Sequence, residues 1–403
     1  MANPPYQLSL QTSEPTRLAQ IPTSSLTPPV TPIAKESRQR SFQDIQPPQS
    51  LSAPKPNVST PLYFTNDLEI IHNGDNRPIE FGRGAWSIVY KARSTSSAKP
   101  SASTSTSNPS TPPSSPSSPV STTRILAVKA PVRRDARPVL EAEALTLTRL
   151  TLTAGHEPYI VPFHGQHKDL GGLVMSAIPL ALSTYIEDQA DIARSRQPAT
   201  PTMFDPVQGP ASYTDLARKL ISGLNWLHQA AGMVHGDIKP HNILLRPVDA
   251  NESTSAFPFE PLFADFSSAV EIPNDPAIPL DTTRASMSAF TPPFTAPEML
   301  ASLTSGDIAP TPASDVFSLA ATLLAAATGD LLLYPGTSNM QRLAMARQGH
   351  QIVDLTRSGS SGHRVPRNGF VEGLVKPAVV KDPASRISTV DWVDLAASSS
   401  SSS

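Results

Sequence analysis

Proline and serine decide where this chain can fold. Of its 403 residues 44 are proline, roughly twice ordinary usage, and they gather in tracts instead of spreading evenly. Residues 1–61 are rich in Pro, Ser, Thr and Gln with no sustained hydrophobic period. Ser94 to Thr123 is nearly all Ser, Thr, Pro and Ala, a weaker tract covers about 190–210, and 397–403 ends in a bare serine run. Segments so poor in apolar surface cannot offset the entropy lost on ordering, so all four are expected to be disordered. What remains is one folded unit, 62–396, interrupted twice. Closure entropy grows only logarithmically with loop length, so removal of Pro100 to Pro119 should leave the fold intact.

Charge and composition narrow the partners. Lys and Arg number 32 against 34 Asp and Glu, a net charge of -2, so no electrostatic excess points to nucleic acid or an anionic membrane. Without cysteine there can be no disulfide, thiolate metal site or Cys nucleophile. Met1-Ala-Asn-Pro-Pro5 shows neither the basic nor the apolar region of a signal peptide, so an intracellular place, cytoplasmic or nuclear, is expected. The longest apolar run, Val316 to Ala327 between Asp315 and Asp330, falls short of the ~20 residues a membrane span needs and reads as a buried helix.

Within 62–396 the hydrophobic period changes partway along. Ile79-Glu-Phe81 and Ser87-Ile-Val-Tyr90 read as strands around a glycine turn, with Ile125 to Val128 and Leu173 to Met175 as further strands. Leu140, Glu143, Leu147 and Leu150 recur at helical spacing, and Leu216, Leu220, Leu224 and Leu227 mark a long amphipathic helix. A strand-rich part about 62–175 is therefore joined, by a short segment after Met175, to a helix-rich part about 179–396.

Three stretches carry chemistry. In Phe81-Gly-Arg-Gly-Ala-Trp-Ser-Ile-Val-Tyr90, two glycines let backbone N–H groups approach phosphate oxygens, and the strand context of Val89 argues against a dinucleotide turn. Lys129 closes the strand Ala127-Val-Lys129, while Glu143 lies on the apolar stripe of the next helix. A carboxylate buried there needs a partner, and Lys129 is the natural one; Glu141 falls off that face. Val234-His-Gly-Asp-Ile-Lys-Pro-His-Asn-Ile-Leu-Leu245 puts Asp237, Lys239 and Asn242 into one loop between apolar runs. Leu262-Phe-Ala-Asp-Phe266 adds Asp265, and the oxygens of Asn242 and Asp265 suit a hard cation such as Mg2+ bridging phosphates.

In this order, over about Leu62 to Leu395, the residues resemble the eukaryotic protein kinase family. Thr291-Pro-Pro-Phe-Thr-Ala-Pro-Glu298 resembles the end of an activation segment, Ser314-Asp-Val-Phe-Ser-Leu-Ala320 the start of the central buried helix, and Lys381-Asp-Pro-Ala-Ser-Arg386 the late arginine motif. The resemblance implies a two-lobed α+β fold, with a small antiparallel-sheet N-lobe carrying one key helix and a larger, mainly helical C-lobe. It implies ATP and Mg2+ as bound species and protein substrates as partners. Gly82, Gly84 and Ser87, with Arg83 between the glycines, would cover the phosphates, and Lys129 steadied by Glu143 would bind them. Asp237 would accept the substrate proton, Lys239 would offset charge on the γ-phosphate, and Asn242 and Asp265 would hold Mg2+. Val89, Ala127 and Leu244 would sandwich adenine beside Met175, with Ser176, Ala177 and Ile178 as the hinge. Asp315 would anchor the catalytic loop, and Glu298 would pair with Arg386. Lys239 and Thr291-Pro292 look like the serine/threonine branch.

Two departures stand out. Gly236 replaces the arginine usual before the catalytic Asp, so a phosphate on the activation segment loses its bidentate partner. Activity should therefore survive alanine at Thr282, Thr283, Ser286 and Ser288. Ser267 stands where glycine is usual, and a serine at positive φ would be strained and slow to flip. Both departures leave open a scaffold of the same fold that binds ATP or partners without turnover. A further alternative gives the main role to the tails, through proline motifs such as Pro28-Pro29 and Pro47-Pro48 or phospho-dependent partners. Separately, the Ser-Pro and Thr-Pro positions Thr27, Thr31, Thr111, Ser115 and Ser118 suit proline-directed kinases.

Overall fold

A computed structural model describes residues 58–84, 86–96, 122–195, 202–248, 255–273, 291–301 and 309–398. The tail before residue 58, the body of the first insert at 97–121, residues 196–201 of the second, the four activation-segment hydroxyls and the terminal serines from 399 lie outside the described residues.

The N-terminal part is a sheet of β1 (Tyr63–Phe64), β2 (Glu69–Ile70), β3 (Glu80–Arg83), β4 (Ser87–Ser96), β5 (Thr122–Pro131), β6 (Phe163–His167) and β7 (Gly172–Ser176). Its order is β1-β6-β7-β5-β4-β2, with β3 also on β4. Pairings are antiparallel except for β1, which lies parallel to β6. Leu126, Ala127 and Val128 bury the middle of β5. One helix, α1 (Arg137–Leu152), packs Leu140, Leu147 and Leu150 into the core, and the proline in its first turn gives up no intrahelical hydrogen bond.

The β4–β5 ladder corrects the edges of the first insert. It runs from Ser87 opposite Pro131 to Ser96 opposite Thr122, so 94–96 and 122–123 are strand. Composition misjudged them because a residue of modest apolarity joins a strand once its neighbour is already paired. The second insert is corrected likewise. Ala190 to Ser195 complete a helix, α2 (Leu182–Ser195), on which Ala190 is buried.

β1 has no counterpart in the sequence reading. Its entry is made possible by Gly165 at φ 126, where a Cβ would lie 2.6 Å from the Phe64 nitrogen. Just before it, the Leu62 N–H donates to Thr148 Oγ1 on α1 at 2.9 Å.

The C-terminal part continues with α3 (Pro210–Gln229), on which Leu216, Leu220, Leu224 and Leu227 are fully buried. Short pairs follow: β8 (Met233–Val234) with β11 (Val270–Glu271), and β9 (Ile243–Pro247) with β10 (Phe259–Phe263). After α4 (Pro297–Ala301), the helix α5 (Pro312–Thr328) is buried from Ser314 to its end. A reciprocal Thr311–Ser314 cap starts it and Gly329, at φ 74, stops it. The shell is completed by α6 (Asn339–Ala346), α7 (Ile352–Arg357), α8 (Phe370–Val375) and α9 (Thr389–Ser398). No helix among the described residues is long and apolar enough to cross a membrane. One apolar cluster runs from α1 through α3 and α5 to α9, so the sheet and the helices share a core.

Candidate active site

Strand alternation places Lys129 and Ala127 on one face of β5. Val89 lies opposite Lys129 in register and Met175 opposite Ala127, so the four share that face. Lys129 Nζ sits 2.8 and 2.7 Å from the two Glu143 oxygens and 2.8 Å from Asp265 Oδ1. The side chains of Lys129 and Glu143 keep 7% and 1% of their surface, whereas Asp265 keeps 39% and is the open side of the cluster. Glu141, the other acidic candidate on α1, is exposed.

One cation facing two carboxylates leaves an excess negative charge. Burial alone would lower the Lys129 pKa, but Asp265 and Glu143 hold it above the usual lysine range. Burial pushes Glu143 up, helped by Asp265 and opposed by Lys129. Burial also opposes ionisation of Asp265, yet the charge and hydrogen bond of Lys129 and the Ser267 hydroxyl bring its carboxyl well below the ordinary aspartate value.

The backbone around Asp265 corrects the expectation for Ser267. The left-handed residue is Asp265 itself, at φ 62, and Ser267 is not among the positive-φ positions. Ser267 Oγ donates to Asp265 Oδ1 at 2.7 Å, while the Phe266 N–H donates to Glu143 Oε1 at 3.1 Å. The Phe266 ring is buried 4.7 Å from the His235 ring.

The loop after β8 is hung from α5. Asp315, 1% exposed, accepts from the His235 N–H at 2.7 Å and the Gly236 N–H at 3.0 Å, with the His228 ring 3.0 Å away. Gly236 sits at φ 81, and a Cβ there would lie 2.5 Å from the Ser268 carbonyl oxygen. The loss of arginine at this position is thus also a steric matter. Beyond it, Asp237 Oδ2 accepts from Lys239 Nζ at 2.7 Å and Asn242 Nδ2 at 2.9 Å. Burial pushes the Asp237 carboxyl up, Lys239 pulls it back and Asp265 adds to the rise, with the net shift upward. Lys239 also reaches Thr291 Oγ1 at 3.2 Å. Arg386 clamps both Glu298 oxygens at 2.7 Å beneath the loop.

The remaining candidates fall at the rim. In the β3–β4 turn the Gly84 N–H donates to the Ser87 carbonyl at 2.8 Å, and Ser87 is buried. Among the described residues, its two chain neighbours aside, no atom lies within 4 Å of a Cβ built on Gly82. Arg83 turns its guanidinium to Glu80 on the exposed side. At the hinge, the Ser176 N–H already donates to Pro162, which removes it from the expected donor set. Among the described residues nothing accepts from the Ala177 or Ile178 N–H. Leu244 lies in β9 and bridges Ala181, just past that hinge.

The donor set fits Mg2+. Among the described residues no group of three or more His, Cys, Asp or Glu side chains is arranged to hold a metal. Asn242 spends its Nδ2 on Asp237, which leaves its Oδ1 as an acceptor, and Asp265 has an exposed carboxylate in a cluster of excess negative charge. One carboxylate and one amide oxygen are what Mg2+ takes from protein when phosphates and water complete its shell. Sequence reasoning missed the Ser267 hydroxyl, though a Ser two residues after an Asp in a loop is a known local hydrogen-bonding pattern.

The family model described as protein kinase domain matches residues 180–396. The chain is 31% identical over 215 residues to serine/threonine-protein kinase ISR1 of Eremothecium gossypii, covering 50% of this chain and 52% of that protein. It is 25% identical over 327 residues to serine/threonine-protein kinase PknK of Mycobacterium tuberculosis, 80% of this chain and 23% of that one. Against human ribosomal protein S6 kinase alpha-4 it is 34% identical over 88 residues, 22% of this chain and 10% of that protein. The chain thus spans about half the length of the first of these relatives and less of the others.

Proposed function

The chain belongs to the protein kinase family, and from there we propose that it transfers the γ-phosphate of ATP to serine or threonine hydroxyls of proteins. One observation carries the reading: a lysine from the sheet meets the Asp265 carboxylate of the helical part at 2.8 Å, and the charge of that carboxylate bears on Asp237. Phosphoryl transfer needs little more from a protein than positioned charges.

Lys129, fixed by Glu143, binds the α- and β-phosphates, and the β3–β4 turn covers them with backbone N–H groups. Adenine lies against Val89, Ala127 and Leu244, with the Ala177 and Ile178 amides at its edge. Asn242 and Asp265 would hold Mg2+, which when bound would neutralise charge on the phosphates. Asp237 orients the incoming hydroxyl and takes its proton as the new O–P bond forms, and ADP leaves with the bridging oxygen's electron pair. Burial favours this step, because a carboxyl of raised pKa is a better proton acceptor. Lys239 lies between Asp237 and Thr291, where it meets both the transferring phosphate and the substrate's docking segment. That contact and the relatives' names support the serine/threonine assignment. Ser267, one of the two residues that left open a scaffold without turnover, donates to Asp265 and does not itself take a positive φ.

Radiolabelled ATP with a generic protein acceptor tests the proposal, comparing the wild-type chain with Asp237→Asn. Incorporation that depends on Asp237 is expected; equal signal from both would leave only a nucleotide-binding scaffold.

A further inference from the structure

Asp265 occupies a left-handed backbone conformation, φ 62, that a non-glycine residue adopts only at a cost, so something in the surroundings must hold it there. The flanking peptides are held: the Ala264 N–H donates to the Asn242 carbonyl at 2.9 Å and the Phe266 N–H to Glu143 at 3.1 Å. Those contacts fix the chain but not the carboxylate. The carboxylate is gripped by two donors, Lys129 Nζ at 2.8 Å and Ser267 Oγ at 2.7 Å, and both fall on Oδ1. Among the described residues no donor reaches Oδ2, and the side chain keeps 39% of its surface, so one oxygen is spoken for and the other is left to accept from outside the chain.

The two donors are not equivalent. Lys129 belongs to the sheet, 136 residues away, and its ammonium has three hydrogens to share between Glu143, Asp265 and any arriving phosphate. When phosphates compete for that ammonium, or the sheet shifts, its hold on Asp265 weakens. Ser267 is two residues along the same segment, so its grip does not depend on where the sheet stands. A glycine could not supply it.

We propose that Ser267 is a positioning residue: its hydroxyl holds Oδ1 of Asp265 so that Oδ2 stays aimed at the metal whether or not Lys129 is engaged. The proposal rests on the reading of Asp265 as a Mg2+ ligand, and goes beyond it by assigning metal affinity to a residue outside the donor set.

The experiment is calorimetric binding of ATP to the full chain, with and without Mg2+, in wild type, Ser267→Ala, Ser267→Gly and Ser267→Thr, alongside the Mg2+ concentration giving half-maximal phosphotransfer. Ser267→Ala and Ser267→Gly should weaken Mg2+-dependent binding by about tenfold, the loss of one hydrogen bond to a charged group, while metal-free ATP binding stays unchanged. Ser267→Thr, which keeps the hydroxyl, should bind as wild type. An unchanged Mg2+ dependence in Ser267→Ala overturns the proposal, as does equal weakening with and without metal, which marks a purely structural contact. A wild-type chain that binds Mg2+ and ATP without turnover, yet shows the expected Ser267 pattern, would remove the transfer reading and leave this one standing.

Discussion

Lys129 of the sheet and Asp237 of the helical part are held in opposite ways. Lys129 has its partners 14 and 136 residues away, on α1 and on the segment after β10. Asp237 has its partners two and five residues away, within its own loop. The lysine cluster is therefore a tertiary product that exists only when sheet and helices are docked. The aspartate loop is assembled locally and then hung from Asp315. Stability and chemistry should be inseparable at the first and separable at the second.

The largest expected effect is Lys129→Ala. It strands Glu143, 1% exposed, with no cation beside it, and removal of one partner from a buried pair costs about 3–5 kcal/mol. Thermal melting should show a drop of many degrees together with loss of ATP binding. Asp237→Asn keeps the shape and the local hydrogen-bonding partners, so phosphotransfer should fall by at least about 10²-fold while the melting temperature stays near wild type. If both variants melt equally low, the contrast between the two regions is wrong.

Gly236→Ala probes the suspension of the loop. A Cβ 2.5 Å from the Ser268 carbonyl, at φ 81, should cost about 1–3 kcal/mol in denaturant unfolding. An arginine would meet the same obstacle, so Gly236→Arg should destabilise the fold and create no phosphate sensor. Wild-type stability in Gly236→Ala would mean that the loop is less firmly hung than Asp315 suggests.

Proton titration separates the two carboxylates. The Asp237 carboxyl is pushed up, chiefly by burial, and proton acceptance needs its ionised form. The acid limb of kcat should therefore fall above the ordinary aspartate value of about 3.9. Asp265 is shifted the other way, chiefly through Lys129 against the opposing effect of burial. Its contribution to stability is present above about pH 3.9 and is lost only as pH falls through its depressed folded value, so Mg2+-dependent ATP binding should outlast turnover on acidification. Loss of both at one pH would contradict this order.

The smallest effect lies behind the hinge. His164 is brought down to about 4 by burial, with Arg124 adding to the shift, and its ring lies 3.0 Å from Ser176 Oγ. Its folded pKa is below the unfolded value, so it stabilises at neutral pH and that share is lost as pH falls from about 6.5 toward 4. In His164→Asn the melting temperature should decline less steeply over that interval.

Much of this was legible from residue type and spacing. A carboxylate on the apolar stripe of α1 demands a cation, and Lys129 supplies it in the folded chain. The long stripes of α3 and α5 announced their own burial. What escaped was set by distant neighbours. The positive φ of Asp265 belongs to a peptide held by Glu143 and Asn242, so the strain expected at Ser267 sits two residues earlier. The two-residue β1 has no period to detect, and the reason for Gly165 appears only once Phe64 lies beside it. The departure at Gly236 was visible as a missing guanidinium, but the crowding against Ser268 was not.

The ladder between β4 and β5 closes with Ser96 opposite Thr122, and Lys129 lies farther along the same strand. That closing pair works as a splice. The residues on either side of 97–121 are returned to adjacent positions before the chain reaches Lys129. Because that pair is closed on both sides of the insert, a change of length across 97–121 is expected to leave Lys129 where it is.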